Sequence, residues 1–343
     1  MPLHDILPSH LPFHDPRLTT HDSSRRLAMT DILTPGFIVS VLAAAVAAGT
    51  AILFACLGEL ITERAGVLNL GIEGIMLMGA LSGAGACIWS GSAWVGAAVA
   101  MATGAAMAAI HALLCVGLRA NQVVAGLALS IFGAGLSAFL GRDIVGLPPP
   151  SAFRRLDIPV LSEIPVLGRI LFQQSALVYI SLALVCILWW FIYRTRAGLR
   201  LRAIGERPEA ADAMGVDVAR LRALYVVGGG ALAGLGGAAL SLGTNPGWTE
   251  GMTAGRGWIA VALVIFAGWN PARAALGAYL FGGVEAGQFR LQTAGVDLSP
   301  FFLNMLPYLF TILVLMLSTR EATRRVLGAP AALGRAYDRE DRG

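Results

Sequence analysis

Along most of this chain the apolar residues do not trace a stripe on one face; they fill every face. Nearly unbroken apolar runs cover 36–57, 67–89, 93–117, 123–140, 176–193, 223–242, 274–291 and 301–318, with a shorter one at 257–268. A helix that is apolar all round has no wet side and belongs in a bilayer or a large core. About 20 residues at about 1.5 Å each match a hydrocarbon layer of about 30 Å. The run at 257–268 covers only about 18 Å as a helix. It is predicted to be a half-helix, or to extend through the glycine-rich segment before it. The pattern predicts an all-α integral membrane protein, a polytopic helical bundle of about eight to nine membrane segments, some broken or re-entrant.

Glycine is frequent inside the runs, as in GIEGIMLMGALSGAGA (71–86) and GGGALAGLGGAAL (228–240). Small residues four apart, such as Gly230 and Gly234, let membrane helices approach closely. Composition agrees with the pattern: 56% of the 343 residues are hydrophobic and 13% charged, against about a quarter charged in soluble domains. The four cysteines (Cys56, Cys87, Cys115, Cys186) sit inside apolar runs without CxxC spacing and read as small hydrophobes. Residues 1–35 form a polar, proline-rich tail that is expected to be disordered. The tail holds His4, His10, His14 and His21 without metal-site spacing, and lacks the order of a signal peptide. Initiation at Met29 would remove most of it.

Charge adds orientation and an exclusion. Every basic side chain is arginine, and the absence of lysine excludes a Walker A phosphate loop. If ATP drives this protein, another chain hydrolyses it. Arg194, Arg196, Arg200, Arg202, Arg207, Arg220 and Arg222 crowd one inter-run segment, and Arg320, Arg324 and Arg325 follow the last run. The positive-inside rule puts both in the cytoplasm. Counting back leaves the 141–175 loop outside and Glu59 to Arg64 inside. The amino terminus then falls outside, with Arg25 and Arg26 on the wrong side unless the chain starts at Met29 or one run is re-entrant.

Within that cytoplasmic segment, GERPEAADAMGVDVARLRAL (205–224) is built to form a short helix. Pro208 suits a first helical turn, Glu209 and Asp212 suit the positive helix end, and Gly215 suits a left-handed exit. A helix over 208–214 is too short to stand alone. It either docks on a partner or is a solvated linker.

PEAADAMGV (208–216) resembles the EAA-type coupling segment of permeases of ATP-binding cassette (ABC) importers. ELITERAGVLNLGIEGIMLMGA (59–80), ANQVVAGLALS (120–130), TEGMTAGRGWIAVALVIFAGWNP (249–271) and PYLFTILVLML (307–317) are similar to signatures of the branched-chain amino acid and simple sugar permease family. TERAGVLNLGIEG and TEGMTAGRGWIA look most like its nucleoside-type branch. The resemblance covers about 36–320, which makes this the permease domain, with 321–343 a cytoplasmic tail. Departures are the long amino-terminal tail and Ala267-Gly268-Trp269, where a bulkier or basic residue is common.

The resemblance implies a transporter subunit of the bacterial plasma (inner) membrane, not an enzyme, with no cofactor of its own and ATP used by a partner subunit. Implied partners are an ABC ATP-binding subunit, a second related permease or a second copy, an extracytoplasmic solute-binding protein and membrane lipid; nucleic acid is not among them. The implied solute is a nucleoside, with a simple sugar, nucleobase or branched-chain amino acid as the alternative. Pro208, Glu209, Ala210, Ala211, Asp212 and Gly215 become candidates for coupling to the ATPase. Small side chains at Ala210, Ala211 and Ala213 would permit close docking.

Polar groups inside apolar runs mark candidate pathway residues. Asn69 and Glu73, four apart, are expected on one helix face beside Gly71 and Gly74, either hydrogen-bonding a solute across a broken helix or bonded to a neighbouring helix. His111 is the one histidine in the runs, a packed side chain or a ligand. Asn121 and Gln122 lie by Arg119 at an inner boundary. Asn245, Trp248, Thr249, Glu250 and Arg256 gather at the outer mouth, where Trp248 is an interfacial anchor or a stacking platform. Glu285 and Gln288 lie one turn apart, facing the pathway or a partner helix. An ion-coupled secondary transporter would need inverted repeats and coupling carboxylates; no clear repeat is present. A membrane enzyme would need a nucleophile–base pair or metal spacing, and neither is apparent.

Overall fold

The structure is a computed structural model that describes residues 34–293, 302, 305, 306, 309, 312, 313, 316 and 328–338. The amino-terminal histidines, Met29, most of the run at 301–318 and Arg320, Arg324 and Arg325 lie outside the described residues.

The first helix, α1, spans Pro35–Arg64, started by Pro35 in its first turn and by Thr34, whose side chain accepts from Phe37 N. Then come α2 (Ile72–Ser90), α3 (Ala93–Ala112), which continues through a wider π turn over Leu113–Gly117, and α4 (Gln122–Leu140). Asn121 caps α4 by accepting from the backbone of Val123 and Val124. The 141–175 connection holds two short antiparallel strands, β1 (Arg155–Asp157) and β2 (Gln173–Ser175). After α5 (Ala176–Arg194) the chain makes α6 (Arg196–Glu206) and α7 (Pro208–Ala213). It re-enters the bundle as α8 (Val218–Ala239), followed by the half-helix α9 (Arg256–Phe266) and α10 (Pro271–Thr293).

Among the described residues six helices are long and apolar enough to cross a membrane: α1 to α5 and α8. The eight-to-nine expectation also counts α9, which has 11 residues, α10, which carries Arg273, Glu285 and Arg290, and 301–318. The apolar run at 67–89 does not become helix until Ile72. Asn69 and Glu73 therefore do not share a helix face. Asn69 accepts from Gly71 N at 3.0 Å, a side-chain turn that competes with helix formation.

Burial sorts the bundle into centre and rim. In α2 72% of the membrane-spanning window is buried, against 33% in α4 and in α5. Central α8 packs on α1, α2 and α3 through glycine. A Cβ at Gly79 would come within 2.6 Å of Gly234 Cα, and one at Gly104 within 2.8 Å of the same atom. Gly230 and Gly234 thus sit in the close contacts that their spacing predicts. On the rim, Val124, Ile131 and Phe139 of α4 and Ile187 and Trp190 of α5 are exposed, apolar surface suited to lipid or another membrane helix.

Candidate functional site

Between α1 and α2 the backbone at 65–71 leaves the helical path inside the bundle, so its polar groups need partners from side chains. Four buried residues supply them. Glu59 Oε1 accepts from Asn69 N at 2.9 Å, and Gln122 Oε1 accepts from Leu68 N at 2.7 Å. Ser130 donates to Leu70 O at 2.8 Å, and His111 Nε2 lies 3.0 Å from Leu68 O. That carbonyl can only accept, so Nε2 carries the proton. The turn is thereby tied to α1, α3 and α4. Asn69 and His111 meet here, each engaged with backbone. Gln122, read from sequence as boundary polarity, is a structural partner of the same turn, and Glu59 and Ser130 were not singled out.

Glu73 sits in the first turn of α2 and is 7% exposed. Its Oε1 accepts from Thr253 Oγ1 at 2.6 Å and Gly255 N at 2.8 Å, and its Oε2 from Gly257 N at 2.7 Å. These donors belong to the amino-terminal end of α9, whose own cap residue is Gly255 in the left-handed conformation and offers no side chain. A carboxylate from another helix therefore caps the half-helix, where unsatisfied N–H groups and the helix dipole favour negative charge. Arg256 holds the same end from the other side. Its guanidinium pairs with Glu285 of α10 and donates to the carbonyls of Met252 and Thr253 at 3.0 Å. Two backbone N–H groups at the start of this half-helix, those of Gly255 and Gly257, are thus occupied by Glu73.

A cavity of about 490 Å³ opens beside this clamp, lined by Thr50, Phe153, Gln174, Asn245, Glu285 and Phe289 among others. Two of the sequence-selected residues, Asn245 and Glu285, therefore share one chamber, while Asn69, Glu73, His111, Trp248 and Gln288 do not line it. Trp248 is 1% exposed, its ring packed on Gly141 so closely that a Cβ there would overlap it. Neither an interfacial anchor nor an open stacking platform describes it in this conformation. Gln288 is buried. Thr249 and Glu250 are exposed. Among the described residues no group of His, Cys, Asp and Glu could hold a metal ion.

At the arginine-rich end, Trp269 has a positive φ of 54°, uncommon for a residue with a Cβ. Its indole donates to Glu63 Oε2 at 2.6 Å and its carbonyl accepts from Arg64 at 3.1 Å. These contacts seat the end of α9 on the end of α1. Nearby, α7 is a six-residue helix with Pro208 in its first turn. It closes with paired backbone bonds, Val216 N to Ala211 O at 3.1 Å and Gly215 N to Asp212 O at 2.8 Å, around Gly215 at φ 80°. This is the glycine-terminated helix end read from the sequence. Its faces are now distinct: Pro208 and Ala211 are buried against the chain itself, whereas Glu209, Ala210, Ala213 and Met214 are exposed. Ala211 therefore does not present its methyl group outward. Met214, a large apolar residue 84% exposed, was not selected from sequence because nothing in its spacing shows which way a six-residue helix faces.

A polytopic helical bundle with a clamped half-helix, a chamber lined by apolar and polar side chains and a short exposed helix at its basic end suits a membrane transport protein. The model of the family described as branched-chain amino acid transport system / permease component matches residues 37–318, and the chain belongs to that family. It is 43% identical to a Haloferax volcanii protein named "Putative glucose ABC transporter permease protein", over 89% of this chain and 99% of that one. It is 34% identical to a nucleoside ABC transporter permease protein of Lactococcus lactis, over 84% of this chain and 93% of the relative. A guanosine ABC transporter permease protein of Bacillus subtilis is also 34% identical, over 77% and 87%. No solved structure gives a significant match. The chain is an ABC permease subunit of the sugar and nucleoside type, a multi-pass protein of the plasma membrane rather than an enzyme.

Proposed function

We propose that this chain forms the translocation pathway of an ATP-driven importer for nucleosides. The observation that carries the ATP-driven part is α7. A six-residue helix with a short exposed face of Glu209, Ala210, Ala213 and Met214 has no stability of its own and suits a groove in an ATP-binding subunit. Pro208 and Ala211 brace it from behind, and Gly215 and Asp212 set its exit. ATP is then consumed by that partner. A second permease chain, or a second copy, completes the membrane unit against rim helices such as α4, and a solute-binding protein delivers from the outer side.

In this reading α9 and α10 together with 301–318 bring the membrane segments to nine, α9 being a half-helix reached from outside. The chamber beside Glu285 is the outer vestibule. Phe153 and Phe289 offer faces for a base, and Asn245 offers a polar side chain for ribose hydroxyls, while Thr50 and Gln174 already donate to backbone carbonyls. A hexose is the second reading, favoured by the 43% identity to the Haloferax protein. Asn69, Glu73 and His111 support the pathway from behind rather than touching solute.

The test is uptake by vesicles holding the complete system, with radiolabelled guanosine, uridine, glucose, adenine and leucine offered in turn. Saturable uptake of nucleosides that requires ATP and survives collapse of the proton gradient is the expected result. Uptake of glucose alone would replace the nucleoside with the sugar. Uptake that follows the proton gradient without ATP would remove the importer reading.

A further inference from the structure

Residues 328–338 return to the basic end of the bundle and lie across it as a strap with a turn at 331–334. Its contacts advance in step with the sequence. Ala331 N donates to Glu206 Oε2 at 3.3 Å, and Ala332 N donates to Gly205 O at 2.9 Å, both at the end of α6 where it turns into α7. Gly334 N donates to Gly66 O at 3.3 Å, in the turn between α1 and α2. Arg335 O accepts from Arg222 Nη1 at 3.2 Å, at the start of α8. Asp338 accepts from Arg119 Nη1 at 2.5 Å, in the connection between α3 and α4. Eight residues of strap thus touch four separate inner ends of the bundle.

Arg222 is the hub beneath it. The residue is 2% exposed although it carries a permanent charge. Its Nη2 donates to Ile204 O at 3.2 Å, its guanidinium carbon lies 5.9 Å from the centre of the Tyr337 ring, and a Cβ on Gly66 would come within 2.7 Å of Nη2. A buried guanidinium placed between three segments holds them in register, because moving any one of them strands part of a charge. Gly205 reinforces the same junction: a side chain there would overlap the carbonyl of Arg64. The elbow of α6 and α7 therefore rests directly on the end of α1, with the strap bonded to the elbow and to the turn that follows α1.

We propose that the strap and Arg222 form a second mechanical link between the coupling segment and the membrane helices, with Arg222 as its positioning residue. Covalent connection carries motion of α7 only into α6 and α8. The strap carries it also into the turn at 65–71, which Glu59, His111, Gln122 and Ser130 tie to α1, α3 and α4, and through Asp338 to Arg119. This rests on the importer reading, since α7 moves only if an ATP-binding subunit moves it.

The experiment uses the complete importer, reconstituted with the ATP-binding subunit that co-purifies with the wild-type chain and with whichever of guanosine or glucose the wild type transports. Three variants are compared: the chain ended after Leu327, Arg222→Ala, and Arg222→Lys. The readout is solute transported per ATP hydrolysed. The truncated chain and Arg222→Ala should keep the ATP-binding subunit bound and hydrolysing, while solute per ATP falls about tenfold, within the usual range of coupling between sites. Arg222→Lys, which keeps the charge but not the fork of donors, should recover part of it. An unchanged ratio in the truncated chain overturns the proposal, and so does loss of ATP-binding-subunit binding, which would make the strap a docking surface. Should the truncated chain fail to reach the membrane, Tyr337→Ala with Asp338→Ala decides by the same ratio. A wild-type chain that retains no ATP-binding subunit refutes the importer reading instead, and the strap's role with it.

Discussion

Replacing Glu73 by glutamine tests whether that carboxylate holds the half-helix or meets solute. The carboxylate accepts from Thr253 Oγ1, Gly255 N and Gly257 N within 2.6–2.8 Å. Glutamine keeps one oxygen, which can serve Thr253 and Gly255 without the charge. Its amide must then face Gly257 N–H, donor against donor. A buried donor left without a partner costs about 1–3 kcal/mol, and a hydrogen bond to a charged group contributes about 1.5–3 kcal/mol. The sum is roughly 3 kcal/mol, because the retained bonds weaken only in part. Alanine strands all three donors at the mouth of α9 and should cost roughly 5 kcal/mol. At about 2 °C per kcal/mol for a chain of this size, Glu73→Gln should lower the apparent melting temperature in detergent by about 6 °C. The assay is thermal unfolding of purified protein with uptake measured in parallel, at one heating rate because such transitions are irreversible. Uptake should fall in both variants with solute affinity little changed. An unchanged melting temperature with weakened solute affinity would refute the reasoning and assign Glu73 to the pathway.

Three further outcomes follow from the same geometry. Ala210→Trp or Ala213→Trp, on the exposed face of α7, should abolish ATP-driven uptake and co-purification of the ATP-binding subunit while leaving the melting temperature within about 2 °C, whereas Ala211→Trp, which points inward, should destabilise the chain itself. Gly215→Val imposes a left-handed conformation costing about 1–2 kcal/mol on a residue with nothing within 4 Å of its Cβ, so it should cut uptake with membrane insertion unaffected. Gly237→Val meets Met76 O and lies 2.6 Å from Ala80 N, so the α2–α8 contact should fail and the protein should not accumulate in the membrane, as read by immunoblot of membrane fractions.

The architecture was legible wherever one local property decided it. Runs apolar on every face located α1, α3, α4, α5 and α8, because a bilayer asks only for length and apolarity. The short run at 257–268 announced a half-helix by being too short, and Pro208, Glu209 and Gly215 marked α7 because caps and left-handed exits are one-residue effects. Tertiary structure decided the rest, through partners far apart in sequence. Asn69 and Glu73 stand four residues apart, yet one folds back on Gly71 N while the other reaches 184 positions along the chain to Gly257 N. No spacing encodes that pairing, since a carboxylate in an apolar run must find donors but not any particular ones. The inward turn of Ala211, the burial of Trp248 and the meeting of Gly205, Gly66, Arg222 and 328–338 are of the same kind. Each depends on which surfaces the packed helices leave adjacent, and adjacency is set by the fold as a whole.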